Sequence, residues 1–173
     1  MGLKIRFLDI DRNTLNIAAD KIEEAIPLYI KACELGNSDA KVNLGYCYEH
    51  GIEVEKSYSK AVKLYTEASA DGNLDAMCYL AHCYLYGLGV PQLQIKARQL
   101  FEQAADQGNP TALNILALFY KKGRCTIEKD VKKAVQYYTK AADLGNPDAA
   151  FNLGACYIKG KGVQEDDAKG AQL

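Results

Sequence analysis

Three groups of residues have types and spacings that suit chemistry. The stretch "SYSK" at 57–60 sets Ser57 three residues before Lys60. In that Ser-x-x-Lys arrangement a serine nucleophile attacks the carbonyl of a β-lactam or a peptide, with a lysine amine beside it. The S-D-N and K-T-G segments that complete such a machine are missing from the chain. Cys78, His82 and Cys83 suggest a zinc set, but neighbouring side chains at 82 and 83 diverge by about 100° on a helix. No C-x-x-C pair supports that set. "GLG" at 87–89 lacks the third glycine and the preceding strand of a dinucleotide fingerprint, so it reads as a turn. No catalytic residue, metal or cofactor is expected.

A basic cluster at Lys121, Lys122, Arg124, Lys129, Lys132 and Lys133 stands against 21 Lys plus Arg and 22 Asp plus Glu overall, a net charge of −1. Without interleaved aromatic residues it reads as a solvated edge that steers an acidic protein partner, not as a nucleic-acid site. A chain of 173 residues, 49% hydrophobic and 25% charged, has the composition of a soluble globular protein. Apolar runs such as "ILALFY" at 115–120 are too short to cross a bilayer. Asp9 and Asp11 fall where a signal peptide needs its apolar stretch, and Arg6 breaks the myristoylation pattern. The expected location is the cytoplasm, or outside the cell if a targeting segment has been removed.

What must position these residues is a repeat. Gly-Asn pairs at Gly36, Gly72, Gly108 and Gly145 are spaced by 36, 36 and 37 residues. In the same register run Ala25, Ala61, Ala97, Ala134; Tyr29, Tyr65, Phe101, Tyr138; Ala40, Ala76, Ala112, Ala149; and Leu44, Leu80, Leu116, Leu153. Each unit closes on Gly51, Gly87, Gly123 or Gly160, and the single extra residue falls between Gly123 and Ile127, where an insertion should cost little. Ala61, Tyr65 and Ala68 stand at i, i+4 and i+7, which is helical spacing. Gly145 suits the left-handed position after one helix, Asn146 can cap the next, and Pro147 fits its first turn. Each unit is therefore two antiparallel helices, and one such hairpin buries its apolar face only by stacking on neighbours.

These residues resemble the Sel-1-like repeat family, a relative of the tetratricopeptide repeat. The matching phrases are "AKVNLGYCYEHG" at 40–51, "AAFNLGACYIKG" at 149–160 and "KAVKLYTEASADGN" at 60–73. The resemblance implies an all-α fold, a right-handed α/α superhelical solenoid of about four stacked helix-turn-helix repeats. The expected organisation is a cap or lead-in at 1–19, the solenoid at 20–169 and the start of a further repeat at 170–173. Some secreted, cysteine-rich members staple each hairpin with regularly spaced cysteines, but here Cys33, Cys47, Cys78, Cys83, Cys125 and Cys156 have irregular intervals. Equivalent positions in adjacent units should lie about 9–10 Å apart, beyond the reach of about 7 Å that a disulfide allows. Reduced, structural cysteines are expected.

If recurring columns build the stack, recognition falls to columns that vary. Counting Ala40, Ala76, Ala112 and Ala149 as position one of the second helix, positions 3, 7 and 10 lie on the face opposite the recurring residues, with position 11 at its edge. These are Val42, Tyr46, Glu49 and His50; Cys78, His82, Leu85 and Tyr86; Asn114, Leu118, Lys121 and Lys122; and Phe151, Ala155, Ile158 and Lys159. The resemblance places that helix on a concave surface. The expected function is a non-enzymatic scaffold or adaptor whose groove takes an extended peptide or partner helix with acidic residues. The alternatives are a penicillin-binding or β-lactamase-like hydrolase using Ser57 and Lys60, or the regulatory repeat arm of a longer enzyme.

Overall fold

The structure is a computed structural model that describes residues 25–173. The expected lead-in at 1–19 lies outside the described residues. Among the described residues every regular element is helical. They are α1 over 25–34, α2 Ser38–His50, α3 Tyr58–Ala70, α4 Leu74–Tyr86, α5 Gln94–Asp106, α6 Pro110–Lys122, α7 Val131–Asp143, α8 Pro147–Ile158 and α9 Asp167–Ala171. The fold is all-α and of the α/α repeat class.

The Gly-Asn turns are built alike. Gly36, Gly72, Gly108 and Gly145 have φ of +81° to +85°, which a side chain would strain. The next backbone N–H then reaches back to a recurring alanine carbonyl, as in Asn109 to Ala104 and Asn146 to Ala141, both 2.9 Å. Asn37, Asn109 and Asn146 turn their Oδ1 forward to accept from the N–H of Ala40, Ala112 and Ala149 at 2.8, 2.9 and 2.8 Å. A cap of this kind contributes about 1 kcal/mol. Pro110 and Pro147 occupy the first turns of α6 and α8, where a missing N–H costs nothing. At the other loop Ser57, Asp130 and Asp166 cap α3, α7 and α9, while Leu93 at the same register makes no side-chain cap before α5.

The chain divides between Asn73 and Leu74 into two compact units. In the first, Ile26, Leu44 and Cys47 form a small core flanked by Tyr29, Tyr48, Val54 and Leu64. Tyr65 is fully buried in this unit between Ala61 and Ala68. Lys41 reaches Asp71 at 2.6 Å, and the Asn73 amide donates to Asp39 at 2.8 Å. In the second unit one continuous core runs through Phe101, Leu116, Phe119, Tyr138, Leu153 and Cys156. Alanines at 76, 97, 104, 112, 134, 141 and 149 are completely buried there, since only a methyl fits where two helix backbones approach closely. Ile127 and Val163 tuck their loops against the same core.

The extra residue of the third loop lies where the sequence places it, but it is not free of cost. Cys125, at φ +55°, is left-handed like Glu53, Gly89 and Gly162 at the same place in the other loops, and this loop adds Thr126 at φ +63°, which costs about 1 kcal/mol. Arg98 holds this loop by donating to Thr126 Oγ1 at 2.9 Å and to the Cys125 carbonyl at 3.4 Å. All six cysteines are free thiols, and all but Cys33 are buried. Burial pushes the Cys47 thiol up to about 11 and Cys78 up to about 12, so both stay protonated and poorly nucleophilic near neutrality.

Candidate functional site

The sixteen positions assigned to a groove separate by column. Position 3 is interior in three helices: Val42 is 8%, Cys78 7% and Asn114 7% exposed, whereas Phe151 is 76% exposed. Glu49, at position 10, is also buried and accepts a 2.8 Å hydrogen bond from the Tyr65 hydroxyl. Val42, Glu49, Cys78 and Asn114 are thus corrections: they do not face solvent, because adjacent helices cover that side of the 100° wheel. The sequence pattern measures an angle around one helix and carries no information on where its neighbours sit. The Cys78 thiol shows what covers it, donating to Oδ1 of Asn109 at 3.4 Å, the cap of α6 one hairpin on.

Positions 7 and 11 behave differently. In the first unit Tyr46 and His50 stack with ring centroids 4.0 Å apart, and His50 Nδ1 lies 3.1 Å from the Tyr46 carbonyl. Burial, aided by the Glu49 charge, raises the Tyr46 phenol above its ordinary range. In the second unit His82 and Tyr86 pair at 4.6 Å with tilted rings, and Tyr86 is 56% exposed. Leu118 and Ala155 are half-buried, while Lys122 on α6 and Lys159 just after α8 are exposed. Of the remaining position-10 residues, Leu85 packs against the core and Lys121 sits over the Tyr138 ring at 5.6 Å. Ile158 stays 46% exposed.

The catalytic look-alikes Ser57 and Lys60 have structural partners. Ser57 Oγ accepts from the Lys60 backbone N–H at 3.4 Å as the cap of α3, and the Lys60 ammonium sits 4.9 Å above the Tyr48 ring. Among the described residues no group of three or more His, Cys, Asp or Glu side chains could hold a metal. No helix described is long and apolar enough to cross a membrane. Two open clefts, of about 720 and 410 Å³, lie in the second unit, and neither is lined by a stripe residue. The larger is bordered by Arg98, Thr126, Lys129, Lys132 and Lys133.

One recurring device escaped the sequence reading. Lys60, Lys96, Lys133 and Lys169 each place an ammonium over a tyrosine of the preceding helix, Tyr48, Tyr84, Tyr120 and Tyr157, at 4.9, 4.2, 4.4 and 4.5 Å. Lys96 also donates to the Tyr84 hydroxyl at 2.8 Å. Hydrogen bonding to the tyrosine raises the Lys133 and Lys169 ammonium pKa values. The signal was present as two columns in register, tyrosine and then lysine 12 or 13 residues on.

Capped hairpins, a recurring small-residue core and side chains that vary on the exposed positions define a helical-repeat protein of the solenoid class. The Sel1 repeat model matches residues 16–37, 38–73, 74–109, 110–146 and 147–173, and the chain belongs to the Sel1 repeat family. Its structure is similar to that of a Sel1 repeat protein from Oxalobacter formigenes. The two are 31% identical over 92% of this chain and 68% of that one, with a TM-score of 0.79. It is also similar to c5321, a protective antigen of uropathogenic Escherichia coli with an SLR fold, at 32% identity and a TM-score of 0.71. That match covers 83% of this chain but only 31% of the antigen. Cysteine-rich protein B of Helicobacter pylori shares the fold at 24% identity, over 76% of this chain and 93% of that one, with a TM-score of 0.56. No curated protein matches the chain. Sel1 repeat proteins are generally protein-interaction scaffolds on a fold that is generally non-catalytic.

Proposed function

We propose that this chain is a non-enzymatic scaffold that binds a protein partner through positions 7 and 11 of its even-numbered helices. In the second unit these are His82 and Tyr86 on α4, Leu118 and Lys122 on α6, and Ala155 on α8 with Lys159 at its C-cap. The observation that carries the reading is the 56% exposure of Tyr86 beside His82, on a face whose other members change type from repeat to repeat. An exposed aromatic next to apolar residues and lysines suits an extended segment or helix that brings one apolar anchor and acidic flanks. Ser57 and Lys60 have structural partners, which favours a scaffold over a hydrolase.

The test reverses charge without touching the core. With Lys122→Glu and Lys159→Glu combined, helicity should be unchanged, and partners captured from a lysate at low salt should be lost. The same partners should leave the unaltered protein as salt rises. An identical captured set from both forms would refute this use of the face.

A further inference from the structure

The cleft of about 720 Å³ in the second unit gathers the places where this repeat departs from its own pattern. The column of Ile26, Val62, Val135 and Ala171 is apolar, yet Arg98 stands in it. Four residues on, Thr66 and Thr139 turn their hydroxyls back to the carbonyls of Val62 and Val135, at 2.7 and 2.9 Å. On α5 that place holds Glu102, whose carboxylate lies 3.5 Å from Arg98 Nε. The loop that Arg98 holds carries the extra residue, and Thr126 in it is β-branched at φ +63°, a conformation such residues rarely adopt. Lys132 is a third departure, since Ser59, Ile95 and Ala168 fill the rest of its column. All three border the same cleft. Stacking alone does not call for them, and breaks in a local pattern that converge in space are expected where a protein works.

We propose that this cleft is a second recognition site and that its occupant is an acidic segment of a protein partner, held through aspartate or glutamate side chains. Charge complementarity selects that chemistry. Lys129 and Lys132 are exposed, border the cleft and make no ion pair among the described residues. Of the three carboxylates in the lining, Glu102 faces Arg98 and Asp130 accepts from the Lys133 backbone N–H at 2.9 Å, which leaves Glu128. Nucleic acid fits less well. Tyr120 is the aromatic residue of the lining, and the Lys133 ammonium at 4.4 Å and the stacked Tyr137 ring at 5.4 Å already engage it, so no platform is open to a base. The Arg98 guanidinium is committed to Thr126, the Cys125 carbonyl and Glu102, so the planar fork that grips phosphate is not presented. What remains are lysine point charges, which suit separate carboxylates. The volume is that of a site for a ligand well beyond a single ion. None of positions 7 and 11 lines the cleft, so this site does not depend on the scaffold reading.

Fluorescence anisotropy of a labelled hexaglutamate peptide, titrated with the whole chain at low ionic strength, tests it. Lys129→Glu and Lys132→Glu combined should weaken binding by about tenfold. Lys31→Glu and Lys63→Glu combined make the same change of net charge on exposed side chains of the first unit and should leave binding unchanged. All four substitutions fall on exposed side chains, and circular dichroism checks that helicity is kept. No binding of the peptide by the unaltered protein overturns the proposal. Equal weakening in the two double variants also overturns it, because net charge rather than the cleft would then hold the peptide. A labelled hexathymidylate bound more tightly than hexaglutamate would replace the acidic segment with a nucleic acid. Each of these outcomes leaves the face of Tyr86 untouched, so the two readings fail separately.

Discussion

Equivalent places in the two units solve the same packing problem differently. In the first unit Tyr65 is fully buried, and its hydroxyl is satisfied by Glu49 at 2.8 Å. Gly45 makes this possible, because a Cβ there would come within 2.6 Å of the Tyr65 ring. In the second unit Phe101 has no hydroxyl and meets Phe119 edge-on at 5.8 Å. Tyr138, equally buried, keeps a hydroxyl that finds no hydrogen-bond partner. One column therefore holds a satisfied hydroxyl at Tyr65, an apolar ring at Phe101 and unsatisfied hydroxyls at Tyr29 and Tyr138. The fold tolerates all three because small residues and stacking carry most of the stability, while the polar tip adds or subtracts a local amount.

That difference gives four tests of decreasing size. Phe101→Ala removes the anchor of the larger core and should cost about 4 kcal/mol in chemical denaturation. Tyr65→Phe withdraws a donor from a buried carboxylate and should cost about 2 kcal/mol. Tyr138→Phe should act with the opposite sign and gain up to about 1 kcal/mol, since it removes a buried hydroxyl that has no partner. Equal losses from Tyr65→Phe and Tyr138→Phe would erase the distinction between the two tyrosines. The smallest effect is in alkali. Cys47 and Cys78 are held neutral by burial, so their contribution is whole below the ordinary thiol range, near pH 8.5. It falls as pH climbs through that range toward 11 and 12, because the unfolded thiols then ionise while the folded ones do not. A thiol reagent should accordingly modify Cys33 well before Cys47 or Cys78 in the folded protein.

The fold was legible because its signals are local and repeated. Gly145, Asn146 and Pro147 predict a turn, a cap and a first helical position by chemistry that needs no knowledge of the neighbours, and each does that work. The insertion site was legible for the same reason, though not the additional left-handed residue, Thr126, that accompanies it. The candidate face was legible only in part. Helical periodicity separates one side of a helix from the other, which is enough for Tyr86 and Lys122. It cannot tell that Asn109 would cover Cys78, or that Glu49 would turn inward to Tyr65, since both depend on residues from another helix. The lysine–tyrosine pairs went unread because each column looks ordinary alone and only their registration is informative.

The central proposal is that recurring buried columns hold the fold while positions 7 and 11, half-buried or exposed, recognise the partner. The most direct measurement reads melting temperature and partner capture on the same preparations of Tyr86→Ala and Phe101→Ala. The account predicts that Tyr86→Ala leaves the melting temperature unchanged and abolishes capture, whereas Phe101→Ala lowers the melting temperature and leaves capture by the remaining folded protein intact. A Tyr86→Ala protein that melts early yet captures its partner normally would contradict it.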